Sequence, residues 1–384
     1  MPSVIVIGAG LSGLRCAQIL IGHGYDVTVL EASDRPGGRV KSDLIDGFIC
    51  DHGFQVINPR YSELIATGIV PELHIRPLPQ GFDINIDGKE FRLGDFRKNL
   101  GYFSGDLSRA TGSVREKLNF LRFVALPGSD KALGDALRGS GSFYKDVLKR
   151  FLDGVFLSNS DEVSSQMARE LIYWFIKGSP GVPETGVQAL PQALMKKIKV
   201  HFDTEVLSVQ DGVVRTDDQE LRADYVVVAT NAIARKRLVG GDEIAMNYSA
   251  TWYHAVPAGA LTSDHLRVAT EPPLINSVVI SNVASSYAPT GKSLISSTTL
   301  QEISATEAEK AVSKFWNISQ GDMELVSRYE IPDSLPRHLP GKGLTRSRRL
   351  SEKIFIAGDD RSIPAQQGAL ESGRLVAEAI IADR

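Results

Sequence analysis

Three glycines and one glutamate near the start of the chain carry the first chemistry that its sequence offers. Gly8, Gly10 and Gly13 stand in G-x-G-x-x-G spacing, with Glu31 further on. Backbone at such glycines approaches a charged diphosphate closely because no Cβ intervenes, and a carboxylate accepts hydrogen bonds from a ribose diol. Arg35, Gly37, Gly38 and Arg39 follow at once, setting two guanidinium groups around paired glycines, a combination suited to phosphate. His52 adds a group able to exchange protons near neutral pH. These residues need particular elements beneath them. Val4, Ile5, Val6 and Ile7 form an apolar, β-branched run, which predicts a strand buried on both faces. Leu14, Ile19 and Leu20 predict a helix that stops at Gly24, and Val27, Val29 and Leu30 a second strand ending on Glu31. In such a unit Gly8 permits the tight turn, Gly10 the approach of backbone to pyrophosphate, and Gly13 close packing of helix on strand. Leu11 and Ser12 then open a helix whose free N–H groups and partial positive charge favour an anion. The reading is a dinucleotide site, and Glu31 alone does not separate NAD from FAD.

Length and composition set the frame. The chain has 384 residues, 42% hydrophobic and 23% charged, with a formal net charge of −3. That is room for two domains with real cores and an ordinary globular balance. No basic excess points to nucleic acid. The apolar start lacks a basic region, and Glu31 and Asp34 follow it, so a buried strand explains it better than a signal peptide. No apolar run reaches membrane-spanning length. Cys16 and Cys50, the two cysteines of the sequence, make neither a disulfide framework nor a zinc site, so a reducing cytoplasm is expected.

The stretch "EASDRPGGRV" resembles the signature of the superfamily of flavin-dependent amine oxidases, protoporphyrinogen oxidases and phytoene desaturases. The resemblance implies that Ala32, Arg35, Gly37, Gly38, Arg39 and Val40 lie along the diphosphate and lead toward the flavin, so that FAD is the cofactor. Two later stretches extend it. In "TEVLSVQDGVVRTDDQELRADYVVVATNA", Asp211-Gly212 marks a hairpin, and a strand at Tyr225–Val228 ends in Ala229 and Thr230. The superfamily implies that Val206 meets adenine through its backbone. In "KIFIAGDDRSIPAQQGALESGRLVAEAII", a strand ends in Gly358 and Asp359. Here the resemblance implies that Asp359 binds a ribitol hydroxyl and that the helix start at Gln366, Gln367, Gly368 and Ala369 faces the flavin pyrimidine. Asp360 reads as a solvated neighbour. The segment "DLIDGFICDHGFQVINPRY" is similar to the flavin-side segment of phytoene-desaturase-like bacterial members, which brings Asp51, His52, Gly53, Phe54 and Gln55 to the isoalloxazine.

The fold class expected is α/β, α+β overall. A Rossmann-type FAD-binding domain is assembled from residues 1–64, 186–235 and 341–384. A second domain of mixed sheet and helices, 65–185 and 236–340, binds substrate. Within it, Met167, Leu171, Trp174 and Phe175 share one helix face that Pro180, Gly181 and Pro183 end; this face backs the substrate cavity or is simply core. True amine oxidases of the superfamily present an aromatic pair, one member in the closing motif, where this chain has Ile363-Pro364-Ala365-Gln366-Gln367. A tethering cysteine near the C-terminus is absent too, so the FAD is expected to be non-covalent. Lys292 reads as a surface lysine. The function implied is an oxidoreductase that passes a hydride from a small, largely apolar organic substrate to the flavin, and electrons onward to oxygen or another acceptor. The alternatives are an amine oxidase proper, a terpenoid or carotenoid desaturase with peripheral membrane contact, and a flavin-binding protein without turnover.

Overall fold

The structure, a computed structural model, describes residues 1–94 and 108–383. Parts of two expected domain segments, residues 95–107 and 384, lie outside the described residues.

Five parallel strands form the sheet under the glycine motif. Their order is Ile354–Ile356, Tyr225–Val228, Ser3–Ile7, Asp26–Leu30 and Val200–His201. The chain thus leaves this sheet after its second strand, and three later strands rejoin it, two of them, Tyr225–Val228 and Ile354–Ile356, in the stretches that the later motifs predict. Burial explains the strand composition. Val4, Val6 and Ile7 are at most 3% exposed, and Val226, Val227 and Val228 not at all, as a sheet covered on both faces requires. The helix Leu11–Gly22 packs on one face beside the closing helix Gln366–Ala382. The contact is close because Gly373 has no Cβ: an added one would lie 2.2 Å from the Ser12 carbonyl oxygen. On the other face Ile5, Ile7, Val226 and Val228 meet a three-stranded antiparallel sheet, Ser208–Gln210, Val213–Arg215 and Glu220–Arg222. Its first turn is Asp211-Gly212, both at positive φ (47° and 83°), the geometry a two-residue hairpin favours.

A second sheet of seven strands takes the order Glu324–Pro336, Met246–Pro257, Lys292–Thr299, Leu274–Val279, Leu266–Val268, Gly81–Ile86 and Lys89–Gly94. Two separate stretches of chain build it, joined where Gly81–Ile86 pairs in parallel with Leu266–Val268. The helix Ser165–Lys177 buries Met167, Leu171 and Trp174. Met167 and Leu171 enter one hydrophobic core and Trp174 another, so the aromatic stripe is packing. The helix ends earlier than Pro180 suggests. Gly178 terminates it, and Asn58 bonds the Trp174 carbonyl there at 2.8 Å. Lys292 is at the surface, 3.5 Å from Glu324.

Candidate functional site

The ends of three parallel strands bring the predicted motifs together. Strand Ser3–Ile7 runs into Gly8, Tyr225–Val228 into Ala229 and Thr230, and Ile354–Ile356 into Gly358 and Asp359. This is the carboxyl end of the sheet, where open α/β folds bind ligands. The glycines differ in what they allow. A Cβ on Gly13 would sit 2.1 Å from the Gly8 carbonyl oxygen, so this glycine serves helix-to-strand packing. A Cβ on Gly10 would meet nothing within 4 Å; here the backbone borders open space. The Arg35–Arg39 loop is laid against this turn. Gly37 N–H donates to the Ala9 carbonyl at 2.9 Å, and Gly37 and Gly38 hold φ of 127° and 62°. Val40 N–H closes the loop onto the Gly37 carbonyl.

Helix capping leaves room for an anion at two helix starts beside these strand ends. The helices Val114–Ala125 and Ala305–Trp316 each begin with a full capping box, Ser113 with Glu116 and Ser304 with Glu307. The helices Leu11–Gly22 and Gln366–Ala382 begin with Gly10 and Ala365, have no side-chain cap, and carry no acid in their first turns. Their N-terminal N–H groups are therefore available to a ligand. The open face at Gly10, the loop of paired glycines and these two uncapped helix starts fit a dinucleotide with two phosphates and a heterocycle.

Several predicted residues are engaged with one another. Glu31 accepts from Ala9 N–H at 2.7 Å and from the Ser33 hydroxyl at 2.7 Å. Arg35 turns toward the hairpin that follows, donating to Asp43 at 2.6 Å and the Ser42 carbonyl at 3.2 Å. Arg39 donates to Asp359 at 2.7 Å and to the Ser334 carbonyl at 2.6 Å. Burial works against the charged Arg39, but Asp359 outweighs it and raises the guanidinium pKa. Gln55 bonds the carbonyls of Arg39 and His52, and Phe54 N–H donates to Thr251 on the second sheet. Ala32 is exposed, whereas Leu11, Ser12, Val206 and Ala229 are buried. Gln366 keeps a buried side-chain oxygen without a partner. Gln367 points away, bonding Ser62 and the Glu63 N–H. Gly368 packs on Ile363, and Ala369 N–H continues the helix ladder.

His52 is held by its neighbours. Its Nε2 lies 2.8 Å from Asp43, and its ring lies 4.3 Å from that of Tyr329. Burial pushes the Asp43 carboxyl up, but bonds from Arg35, Tyr329 and His52 outweigh this and bring it down to about 2. Asp51, beside His52, is 3% exposed and accepts from Ser42, Val187 N–H and Tyr287. Burial still prevails and pushes its carboxyl up to about 6. Cys50 is buried, and burial with the nearby Asp51 and Asp43 carboxylates pushes its thiol up to about 12.

One expectation is corrected. Asp360 is not solvated: at 5% exposure it forms a two-pronged pair with Arg235, 2.7 and 2.9 Å long, and Arg235 is itself 4% exposed. A buried carboxylate needs such a partner, and Arg235 arrives from the helix Ala232–Val239, which follows the strand Tyr225–Val228. The pair fastens the turn after Asp359 to the middle chain segment. Sequence reading also passed over Gln188, whose side-chain N–H donates to the Pro36 carbonyl at 2.6 Å and supports the arginine loop from below. Spacing carries no signal for contacts so far apart in the chain.

Comparison with known proteins adds three findings. The family described as flavin-containing amine oxidoreductases matches residues 11–381. An L-amino-acid oxidase of Gloydius halys is 26% identical, with 61% of this chain and 53% of that protein covered. One of Vipera ammodytes ammodytes is 27% identical, with 61% and 55% covered. The chain spans about half the length of these curated relatives. Among solved structures, an oxidoreductase from Methanosarcina mazei is similar with a TM-score of 0.75 at 17% identity, covering 98% of this chain and 100% of that one. Cyclohexylamine oxidase from Brevibacterium oxydans is similar with a TM-score of 0.72 at 17% identity, covering 100% and 99%. These likenesses establish a shared fold with a Rossmann-type nucleotide domain.

Proposed function

We propose that this chain, which belongs to the family of flavin-containing amine oxidoreductases, is an oxidoreductase that binds FAD non-covalently and oxidises a small organic molecule. The supporting observation is the convergence at one sheet end of an open glycine turn, the loop of paired glycines and Asp359, with two uncapped helix starts. Gly10, Gly37, Gly38 and the start of the helix Leu11–Gly22 would hold the diphosphate. Glu31 would exchange its bonds to Ala9 and Ser33 for the adenosine ribose. Asp359, now paired with Arg39, would take the ribitol. The start of the helix Gln366–Ala382, with the free Gln366 oxygen nearby, would face the pyrimidine, where a positive helix end favours the anionic reduced ring. FAD supplies hydride acceptance and onward electron transfer. The protein's part is to hold substrate against it and to keep water out. Non-covalent attachment fits the two cysteines, Cys16 and Cys50, both buried thiols. The same free thiols fit a reducing, cytoplasmic location.

The substrate domain is proposed to be built on the seven-stranded sheet from residues 65–185 and 236–340, with the nucleotide domain formed by the remaining segments. Oxidation of an amine is the second reading. It draws support from the amine and amino-acid oxidases among the similar proteins, and counter-support from Ile363–Gln367, which contains no aromatic residue. The test is anaerobic photoreduction of the FAD-loaded protein, readmission of air, and a peroxide assay over a panel of primary amines and L-amino acids. Fast reoxidation with peroxide formed from one panel member supports the oxidase reading. Slow reoxidation supports a dehydrogenase or desaturase. A flavin that neither light nor dithionite reduces would contradict the enzymatic reading altogether.

A further inference from the structure

The helix Val114–Ala125 has two apolar sides, and the fold covers one. Phe120, Phe123 and Val124 pack partly against a hydrophobic core. Val114, Leu118 and Leu121 do not: they are 69%, 58% and 55% exposed, and Leu126, just past the helix end, is 51% exposed. At about 100° per residue, Val114, Leu118, Leu121 and Ala125 fall within a band about 60° wide. An ordinary amphipathic helix turns such a stripe to the core; this one turns it to solvent.

The charges beside the stripe are of one sign. Arg115 and Arg122 are both exposed and lie along the same flank, about two helical turns apart. The single carboxylate of the helix, Glu116, projects from the opposite side and is committed to Ser113 and Ser142. The next helix extends the surface. Arg169 donates to the Phe123 carbonyl at 2.7 Å, and the same side of its helix exposes Tyr173 and Ile176. Lys177 reaches the Tyr173 hydroxyl at 2.9 Å, an aromatic and cationic pairing common at membrane–water boundaries.

We propose that this side of the protein docks on an anionic lipid bilayer. Val114, Leu118, Leu121 and Leu126 enter the boundary between headgroups and acyl chains, and Arg115 and Arg122 meet the lipid phosphates. An exposed apolar stripe flanked by arginines is what an interfacial helix requires, and the cytoplasmic leaflet carries the complementary negative charge. The contact is peripheral, since no helix among the described residues is long and apolar enough to cross a membrane. A second copy of the chain is the poorer occupant. Its own stripe would bring more arginines, and among the described residues of the helix the one carboxylate is turned away. The inference stands on surface chemistry and is independent of the proposed redox function.

The experiment is flotation of the full-length, FAD-loaded protein with vesicles of phosphatidylcholine alone, or with about one third phosphatidylserine. We expect flotation with the anionic vesicles that weakens as salt rises. Leu118→Ser with Leu121→Ser should lower the bound fraction at least about tenfold. Arg115→Ser with Arg122→Ser should lower it on anionic vesicles and weaken the salt dependence. All four side chains are exposed, so unchanged flavin content and melting confirm intact variants. No flotation, equal flotation on phosphatidylcholine alone, or binding indifferent to both variants overturns the proposal. So does a concentration-dependent dimer in sedimentation that the leucine variant dissolves.

Discussion

Replacing Gly10 by alanine separates the cofactor site from the fold that carries it. Gly10 has φ −73° and ψ 174°, a conformation alanine adopts without strain, and its added Cβ would meet no protein atom within 4 Å. The folded apoprotein should therefore tolerate the change, since the freedom lost by the unfolded chain offsets most of the poorer N-cap that alanine makes, leaving a net cost under about 1 kcal/mol. The methyl group would instead occupy the space where backbone N–H groups reach a diphosphate. Pushing the phosphates outward weakens at least one charge-assisted hydrogen bond, worth about 1.5–3 kcal/mol. That corresponds to about a 10–100-fold loss in FAD affinity. Gly13→Ala is the contrasting variant, because its Cβ would lie 2.1 Å from the Gly8 carbonyl oxygen and force helix from strand. It should destabilise the apoprotein by about 1–3 kcal/mol or more. The assay is FAD titration by flavin fluorescence quenching, set beside urea unfolding of the apoproteins. Gly10→Ala binding FAD as tightly as the parent, or unfolding as easily as Gly13→Ala, would refute the division of labour between the two glycines.

Three further outcomes follow from the buried charges. Arg235→Met leaves Asp360 buried with Arg361 as its one cation among the described residues, at 3.1 Å, and should destabilise by about 3 kcal/mol, while Arg235→Met with Asp360→Leu recovers most of the loss; urea midpoints within experimental error of the parent would contradict this. Two groups give opposite pH slopes in stability. The Asp51 carboxyl rises from 3.8 to about 6 in the fold, so its contribution is full below pH 3.8 and is lost, by about 3 kcal/mol, as pH climbs through 6. His254, 0% exposed with neither ring nitrogen bonded, is lowered by burial from 6.5 to about 4, so its contribution is full above pH 6.5 and is lost as pH falls through 4. Unfolding across that range should show Asp51→Asn losing the first slope and His254→Leu the second, and unchanged slopes would count against both. Cys50, raised to about 12, should resist alkylation at pH 8 in the native protein and react on unfolding.

The nucleotide sheet was legible because local rules governed it. Buried parallel strands need unbroken apolar runs, so Val4–Ile7 and Tyr225–Val228 announce themselves, and Gly8, Gly10 and Gly13 have spacing fixed by one turn. Asp359 was legible for the same reason, standing directly after a strand. What went unread are side-chain partners that the fold, not the spacing, brings together. Asp360 stands just past the strand end in sequence, and its neighbour in space is Arg235. Arg35 and Arg39 have the right chemistry for phosphate, but spacing does not disclose that Asp43 and Asp359 bind them meanwhile. The outward leucines of Val114–Ala125 were hidden because a helix with two apolar sides has no single stripe to read. Gly178 ended its helix ahead of Pro180 because Asn58, far away in the chain, bonds its last turn.

The most direct measurement is the absorbance spectrum of the purified full-length protein, before and after heat denaturation and removal of precipitate. We expect a flavin spectrum in the native sample and free FAD in the supernatant after heating. A protein that is colourless as purified and takes up no FAD on reconstitution would contradict the claim that the three strand ends hold this cofactor. Flavin that stays with the precipitate would contradict non-covalent attachment.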